Sequence, residues 1–216
     1  MTDKALDNIT ESLDAIAKSY GERVKTMGST AKAAGWRDTE TQHLRFQQLF
    51  HLFGDGDEAF SLIDLGCGYG EMLKALPEQL DERLYRYVGY DISMEMVEEG
   101  RQLFADDERI SFVCGAEIEE PADYIVASGI FNHHFGTDPA VWQEHIMNTV
   151  AQMVDKATKG AAFNIMTTHV DFQEDYIYYA DPAYMLDQCL ERFGRHVRLL
   201  HDYPLYEFTV LIDKKD

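Results

Sequence analysis

The run Ser61-Leu62-Ile63-Asp64-Leu65-Gly66-Cys67-Gly68-Tyr69-Gly70-Glu71-Met72 constrains this fold more than any other stretch. It begins as a short, largely apolar segment of the kind that forms a strand buried on both faces. Glycines at three alternate positions break it, and a helical pattern (Met72, Leu73, Leu76) follows as far as Pro77. Strand, glycine turn and helix together present backbone N–H groups and a helix N-terminus to a ligand. Glycine suits such a turn because it accepts positive φ and has no Cβ to hold a ligand away.

The spacing separates two kinds of nucleotide-type cofactor. The dinucleotide fingerprint is G-x-G-x-x-G, whose last glycine tightens helix against strand. Here the third glycine comes one position early, and Glu71 stands where that fingerprint wants glycine. The pattern Asp64-x-Gly66-x-Gly68-x-Gly70 instead resembles the first motif of the class I methyltransferases dependent on S-adenosylmethionine (SAM). The competing reading is a glycine-rich turn that binds nothing, and the flanking strand and helix favour the cofactor.

With 216 residues, 45% of them hydrophobic, the chain suffices for one α/β domain with an N-terminal elaboration. Apolar runs are too short to span a bilayer, and no signal-peptide pattern opens the chain. Cys67, Cys114 and Cys189 are widely spaced and odd in number, which predicts neither a zinc site nor a disulfide framework, and a reducing cytoplasm. Net charge is −20, from 39 acidic against 19 basic residues. Such a surface repels a phosphate backbone, so nucleic acid is not the expected substrate.

Residues 1–57 read as a helical cap on a main domain of 58–216. Leu6, Ile9, Leu13 and Ile16 give Ala5–Ile16 an amphipathic helical spacing. Between Tyr20 and Trp36 three glycines (Gly21, Gly28, Gly35) punctuate a stretch with little periodicity. A firmer helix carries Leu44, Phe46, Leu49, Phe50 and Phe53, ending in the turn Gly54-Asp55-Gly56-Asp57. Beyond it, predicted strands Phe60–Leu65, Tyr85–Asp91, Ile110–Cys114, Tyr124–Ser128 and Ala161–Met166 alternate with helices near Gly70–Leu76, Ser93–Phe104, Asp138–Val154 and Asp181–Arg192. The last two helices each begin Asp-Pro-Ala, an N-cap followed by proline at the first helical position. Strand-like His196–His201 and Leu205–Ile212 are joined by only Asp202-Tyr203-Pro204, so this pair must be antiparallel. The expected fold is a Rossmann-like, mostly parallel sheet closed by a C-terminal antiparallel hairpin.

Asp91 ends the second strand, where a carboxylate can accept hydrogen bonds from both hydroxyls of a ribose; Ile92 follows it. The alternative is an acid serving only the next helix's dipole. The third strand ends Cys114-Gly115-Ala116-Glu117. The resemblance implies an acidic adenine contact at the place held by Ala116, with Glu117 one step on as the candidate. Cofactor contacts are thus expected from Asp64, Gly66, Cys67, Gly68, Gly70, Asp91, Ile92, Ala116, Glu117 and Ser128.

The fourth strand runs into Ser128-Gly129-Ile130-Phe131-Asn132-His133-His134-Phe135, which is similar to the apolar-His-His-apolar ending of many small-molecule methyltransferases. By that resemblance this end lies beside the transferable methyl. His133 and His134 are the candidate bases, with a backbone-bonding structural histidine as the alternative for either. Asn132, His169, Tyr176 and Tyr179 are candidate substrate contacts, the tyrosines equally suited to packing under the cap. No spacing of metal ligands is visible.

Gly35-Trp36, Gln42-x-x-Arg45-Phe46, Ala180-Asp181-Pro182, His201-Asp202-Tyr203 and Tyr206-Glu207-Phe208-Thr209 extend the resemblance over nearly the whole chain, to small bacterial class I methyltransferases. It implies that Trp36 and Arg45 close over SAM, Arg45 near its carboxylate; an internal ion pair is the rival for Arg45. The expected activity is methyl transfer from SAM to O, N or S of a small molecule, releasing S-adenosylhomocysteine (SAH), by a monomer or homodimer. Two alternatives stay open: a protein methyltransferase with a basic target, and a SAM-binding partner subunit without chemistry.

Overall fold

The computed structural model describes residues 3–214, with side chains from residue 8 onward, so Leu6 lies outside the described side chains. The elements are α1 (Asp3–Met27), α2 (Thr39–Phe50), β1 (Phe60–Leu65), α3 (Glu71–Ala75), α4 (Glu78–Asp81), β2 (Leu84–Asp91), α5 (Met94–Leu103), β3 (Ile110–Cys114), β4 (Ala122–Ser128), α6 (Pro139–Lys156), β5 (Ala157–Met166), α7 (Pro182–Phe193), β6 (Val197–Leu200) and β7 (Glu207–Asp213). One seven-stranded sheet has the order β3-β2-β1-β4-β5-β7-β6. All pairs are parallel except those that β7 makes with β5 and β6. The expected Rossmann-like sheet and its antiparallel hairpin are what the chain forms.

Strand alternation divides the core. Ile63 and Leu65 of β1 join the cluster that holds Trp142, Ile146 and Val150 of α6 and Met185 of α7. Phe60 and Leu62 point the other way, to Phe46, Leu49 and Phe50 of α2, Met72 of α3 and Val97 of α5. Two-residue periodicity thus separates two helical layers across one sheet. Both Asp-Pro-Ala starts cap as expected: Asp138 accepts from the amides of Ala140 and Val141, and Asp181 from that of Tyr184.

Helix α1 departs from expectation by running straight through Gly21. A Cβ there would lie 2.5 Å from Glu95 Oε2, so this glycine permits close packing on α5 rather than breaking the helix. The helix stops at Gly28, whose φ is 64°. The phenylalanines of helix α2 lie on the sheet as part of one helical layer. Strand β5 begins at Ala157, ahead of the expected Ala161, because Ala157 pairs with Ala122. Its first residues, Ala-Thr-Lys-Gly, carry no strand pattern.

Connections from β1 and β4 leave towards opposite edges of the sheet, as the strand order shows. At such a switch point the carboxyl ends of neighbouring strands open a crevice. A cavity lies there, walled by residues of the β1 and β4 ends, α1, the Ala34–Trp36 segment, α2 and α6.

Candidate active site

The glycine turn is pinned to the end of β2. Backbone N–H groups of Gly66 and Cys67 both donate to Tyr90 O, at 2.7 and 3.0 Å. Gly66 has φ 78°, and a Cβ on it would lie 2.0 Å from Ile130 Cγ2, so no other residue fits. One step on, Gly68 N donates to Asp91 Oδ2 at 2.8 Å, while Ser93 N donates to Asp91 Oδ1 at 2.8 Å. Asp91 lines the cavity. A carboxylate offers about four acceptor positions, so these backbone bonds do not exhaust it. Burial pushes the Asp91 carboxyl up, and the backbone amides of Ser93, Gly68 and Ile92 oppose that push.

Asp64 is 2% exposed and sits at the same wall. Its Oδ2 accepts from the Tyr87 hydroxyl at 2.9 Å, and its Oδ1 has no partner. Burial first, then the negative charge of Asp91, raises its pKa to about 7, against the lowering effect of the Tyr87 bond. Gln42 of α2, 3% exposed, also reaches the cavity with its Oε1 unpartnered. The third such atom among the described residues is His133 Nδ1, again on a cavity-lining side chain. Buried polar atoms are normally satisfied. All three orphans belong to side chains that line one cavity, which makes it the candidate site for a polar ligand.

His133 is held from several sides. Its ring lies parallel to Tyr176 at 5.9 Å between centroids, tilted against Phe135 at 5.8 Å and edge-on to Tyr20 at 6.4 Å. Burial, with smaller contributions from Arg23 and His134, lowers its pKa below 6.5. Its neighbour is engaged otherwise: His134 Nδ1 bonds Thr137 O at 2.9 Å, its amide donates to Tyr176 O and its carbonyl accepts from Ser12 Oγ. Helix α6 adds His145 and Thr149 to the wall one turn apart, and α1 adds Leu13, Ile16, Ala17 and Tyr20.

The profile of a methyltransferase domain matches residues 63–153, which span β1 to α6. A Mycobacterium tuberculosis (strain ATCC 25618 / H37Rv) protein named "Putative methyltransferase Rv1506c" is 41% identical over 161 residues, covering 73% of this chain and 95% of that protein. The chain belongs to the class I methyltransferase family. Membership brings that family's methyl donor, SAM. Among solved structures, magnesium protoporphyrin IX methyltransferase (ChlM) from Synechocystis PCC 6803 with bound SAM superposes with a TM-score of 0.66 at 15% identity, covering 99% of this chain and 100% of that one. The pyocyanin biosynthetic protein PhzM superposes with a TM-score of 0.62 at 18% identity, covering 92% of this chain and 62% of that one. The N-methyltransferase NodS from Bradyrhizobium japonicum WM9 does so at 0.60 and 13% identity, covering 83% and 99%. These likenesses establish the fold.

In this methyltransferase the cavity gathers Trp36, Asp64, Gly66, Cys67, Gly68, Asp91, Ile92, Ala116, Ser128 and His133 from the expected site residues. Other expected residues lie elsewhere. Gly70 caps α3, and a Cβ on it would meet Phe112 and Phe104 on the far side of the turn. Glu117 is exposed and leaves the wall to Ala116. Arg45 turns from the cavity to clasp Glu207, both oxygens at 2.8 Å, and lies 4.2 Å over the Trp36 ring. Glu207, 1% exposed, has Arg45 as its ion-pair partner among the described residues. Asn132 spends its Oδ1 on the Met166 amide, and Tyr179 its hydroxyl on the Glu174 amide. His169 stands 6.0 Å from the ring of His201, and Tyr176 reaches the site only through its stack on His133. His134 is bonded as a structural histidine, away from the cavity wall.

Four polar cavity residues escaped the sequence reading. Gln42 sits inside the Gln-x-x-Arg-Phe motif, where the cation drew attention from the amide. Tyr20 lies in the stretch that seemed aperiodic. His145 and Thr149, four residues apart on α6, carried no motif that singled them out.

Proposed function

We propose that this methyltransferase transfers the methyl of SAM to a small molecule seated between the glycine turn and His133. The observation that carries this reading is that Asp64, Gln42 and His133, each with an unpartnered polar atom, line one cavity. The residues fit the cofactor. Asp91 retains acceptor positions for a ribose. Asp64 and Gln42 offer oxygens to an ammonium group, and Ile92, Met96 and Ala116 an apolar wall to a purine.

When bound, SAM supplies a methyl activated by its positive sulfur, whose bonding electrons return to sulfur as SAH forms. What the chain then supplies is alignment, exclusion of water and a proton acceptor. His133 is neutral at pH 7, since its lowered pKa keeps the proton off. Its Nδ1 takes the proton of an acceptor hydroxyl while the oxygen lone pair forms the new bond to carbon. Helix α1 and Trp36 cover the cavity. The cysteines are unpaired, which fits action in a reducing cytoplasm.

The test is incubation of the enzyme with methyl-labelled SAM and a metabolite extract. Label should appear in a low-molecular-weight product. Label confined to protein would make the target a polypeptide, and no label with any fraction would remove the proposed chemistry.

A further inference from the structure

The cavity has two chemically different walls. Both of its carboxylates, Asp64 and Asp91, belong to the strand ends that carry the glycine turn. The wall built by α1, α6 and the segment after β4 carries Leu13, Ile16, Ala17, Ile130 and Phe131, and no charged side chain among the described residues. Its polar groups are Tyr20, His133, His145 and Thr149. From this wall we infer that the acceptor is an uncharged, ring-bearing hydroxyl compound, a phenol-like molecule whose apolar body lies against α1.

This rests on the proposed methyl transfer and adds the substrate class. An anionic acceptor needs a buried cation to replace its water, and none lines this wall. A cationic one would meet no carboxylate on this wall. A neutral hydroxyl meets four polar groups that are themselves neutral at pH 7: burial holds His133 and His145 below the usual histidine range and Tyr20 above the usual phenol range. The Thr149 hydroxyl donates to His145 O at 3.0 Å, which leaves its lone pairs for a donor in the cavity.

The rim beside His133 points to a ring. Phe135 and Tyr176, 42% and 49% exposed, both pack against the His133 imidazole. Phe135 has φ 44°, the one positive φ outside glycine among the described residues. An exposed ring beside the imidazole offers a stacking surface to an aromatic acceptor that extends past His133.

The test measures binding to SAH-saturated protein of three probes of one shape: 4-ethylphenol, 4-ethylbenzoate and 4-ethylbenzylamine. The phenol should bind about tenfold or more tighter than either charged probe, a gap of about 1.4 kcal/mol. Ala17→Phe and Thr149→Phe, which fill the wall, should each weaken phenol binding at least as much while SAH affinity stays within about twofold. A charged probe binding as tightly as the phenol, or phenol binding unchanged in both variants, overturns the inference. If either variant fails to take up SAH, the ranking of probes on the wild type decides alone. Failure of the wild type to bind SAH would instead bring down the methyl-transfer reading beneath it.

Discussion

Arg45 and Glu207, 162 positions apart, form a buried ion pair that ties α2 to the start of β7. Arg45 Nε contacts both carboxylate oxygens at 2.8 Å, and its Nη1 donates to Thr41 O at 2.8 Å. The same guanidinium lies over Trp36, whose ring closes on Gly129. Burial pushes the Glu207 carboxyl up and Arg45 holds it down. Arg45→Leu should therefore cost about 3–5 kcal/mol by stranding a buried charge. Adding Glu207→Gln should recover much of that loss in a denaturant titration. An unrecovered double mutant would mean that the Trp36 contact, not the ion pair, holds this corner.

Asp91→Ala should weaken SAH binding by about ten- to a hundredfold, the value of about 1.5–3 kcal/mol for hydrogen bonds to a charged acceptor. The turn loses its Gly68 bond too, so Asp91→Asn is the companion variant, keeping one acceptor oxygen. Calorimetry should rank wild type above Asp91→Asn above Asp91→Ala, with unchanged far-UV dichroism.

Asp64 sets a pH dependence. Its pKa stands near 7 in the folded protein, raised from 3.8. In the free enzyme this carboxyl costs stability as pH rises from about 4 to 7, because the unfolded chain ionises first and the folded one resists. An ammonium beside Oδ1 favours the ionised form, so SAH should bind about tenfold tighter at pH 8 than at pH 6. Asp64→Asn should flatten that profile and bind more weakly at pH 8. A wild-type affinity independent of pH over this range would separate Asp64 from the ligand.

The two adjacent histidines should behave oppositely. On a hydroxyl acceptor, His133→Ala should lower kcat by about a hundred- to ten-thousandfold at little cost in SAH affinity. The wild-type rate should be level at pH 7 and fall on the acid side at a pH below 6.5, since burial has lowered this group's pKa. His134→Ala should leave that profile in place and lower the melting temperature, because it cuts the bond to Thr137 O.

Strand β1 and the glycine turn were legible because local pattern alone dictates them: a buried strand, then positions that a side chain cannot occupy. The N-caps Asp138 and Asp181 were legible for the same reason. Gly21 was misread because its reason, close approach to Glu95, lies in another element. For Arg45 the internal ion pair stayed one of two readings because its partner sits 162 residues away. Gln42, Tyr20 and His145 became site residues only where α1, α2 and α6 converge, a property of packing that no window of sequence contains. Choosing between His133 and His134 likewise required seeing which ring nitrogen Thr137 had taken.

The most direct measurement is calorimetric titration of the purified protein with SAH and, separately, with NAD. SAH should bind one per chain at micromolar concentration or better, with a negative heat-capacity change from burial of its apolar parts. NAD should give no comparable heat, because the third glycine of the turn stands one place early and Glu71 occupies the fingerprint position. Binding of NAD without binding of SAH or SAM would contradict the assignment of this cavity.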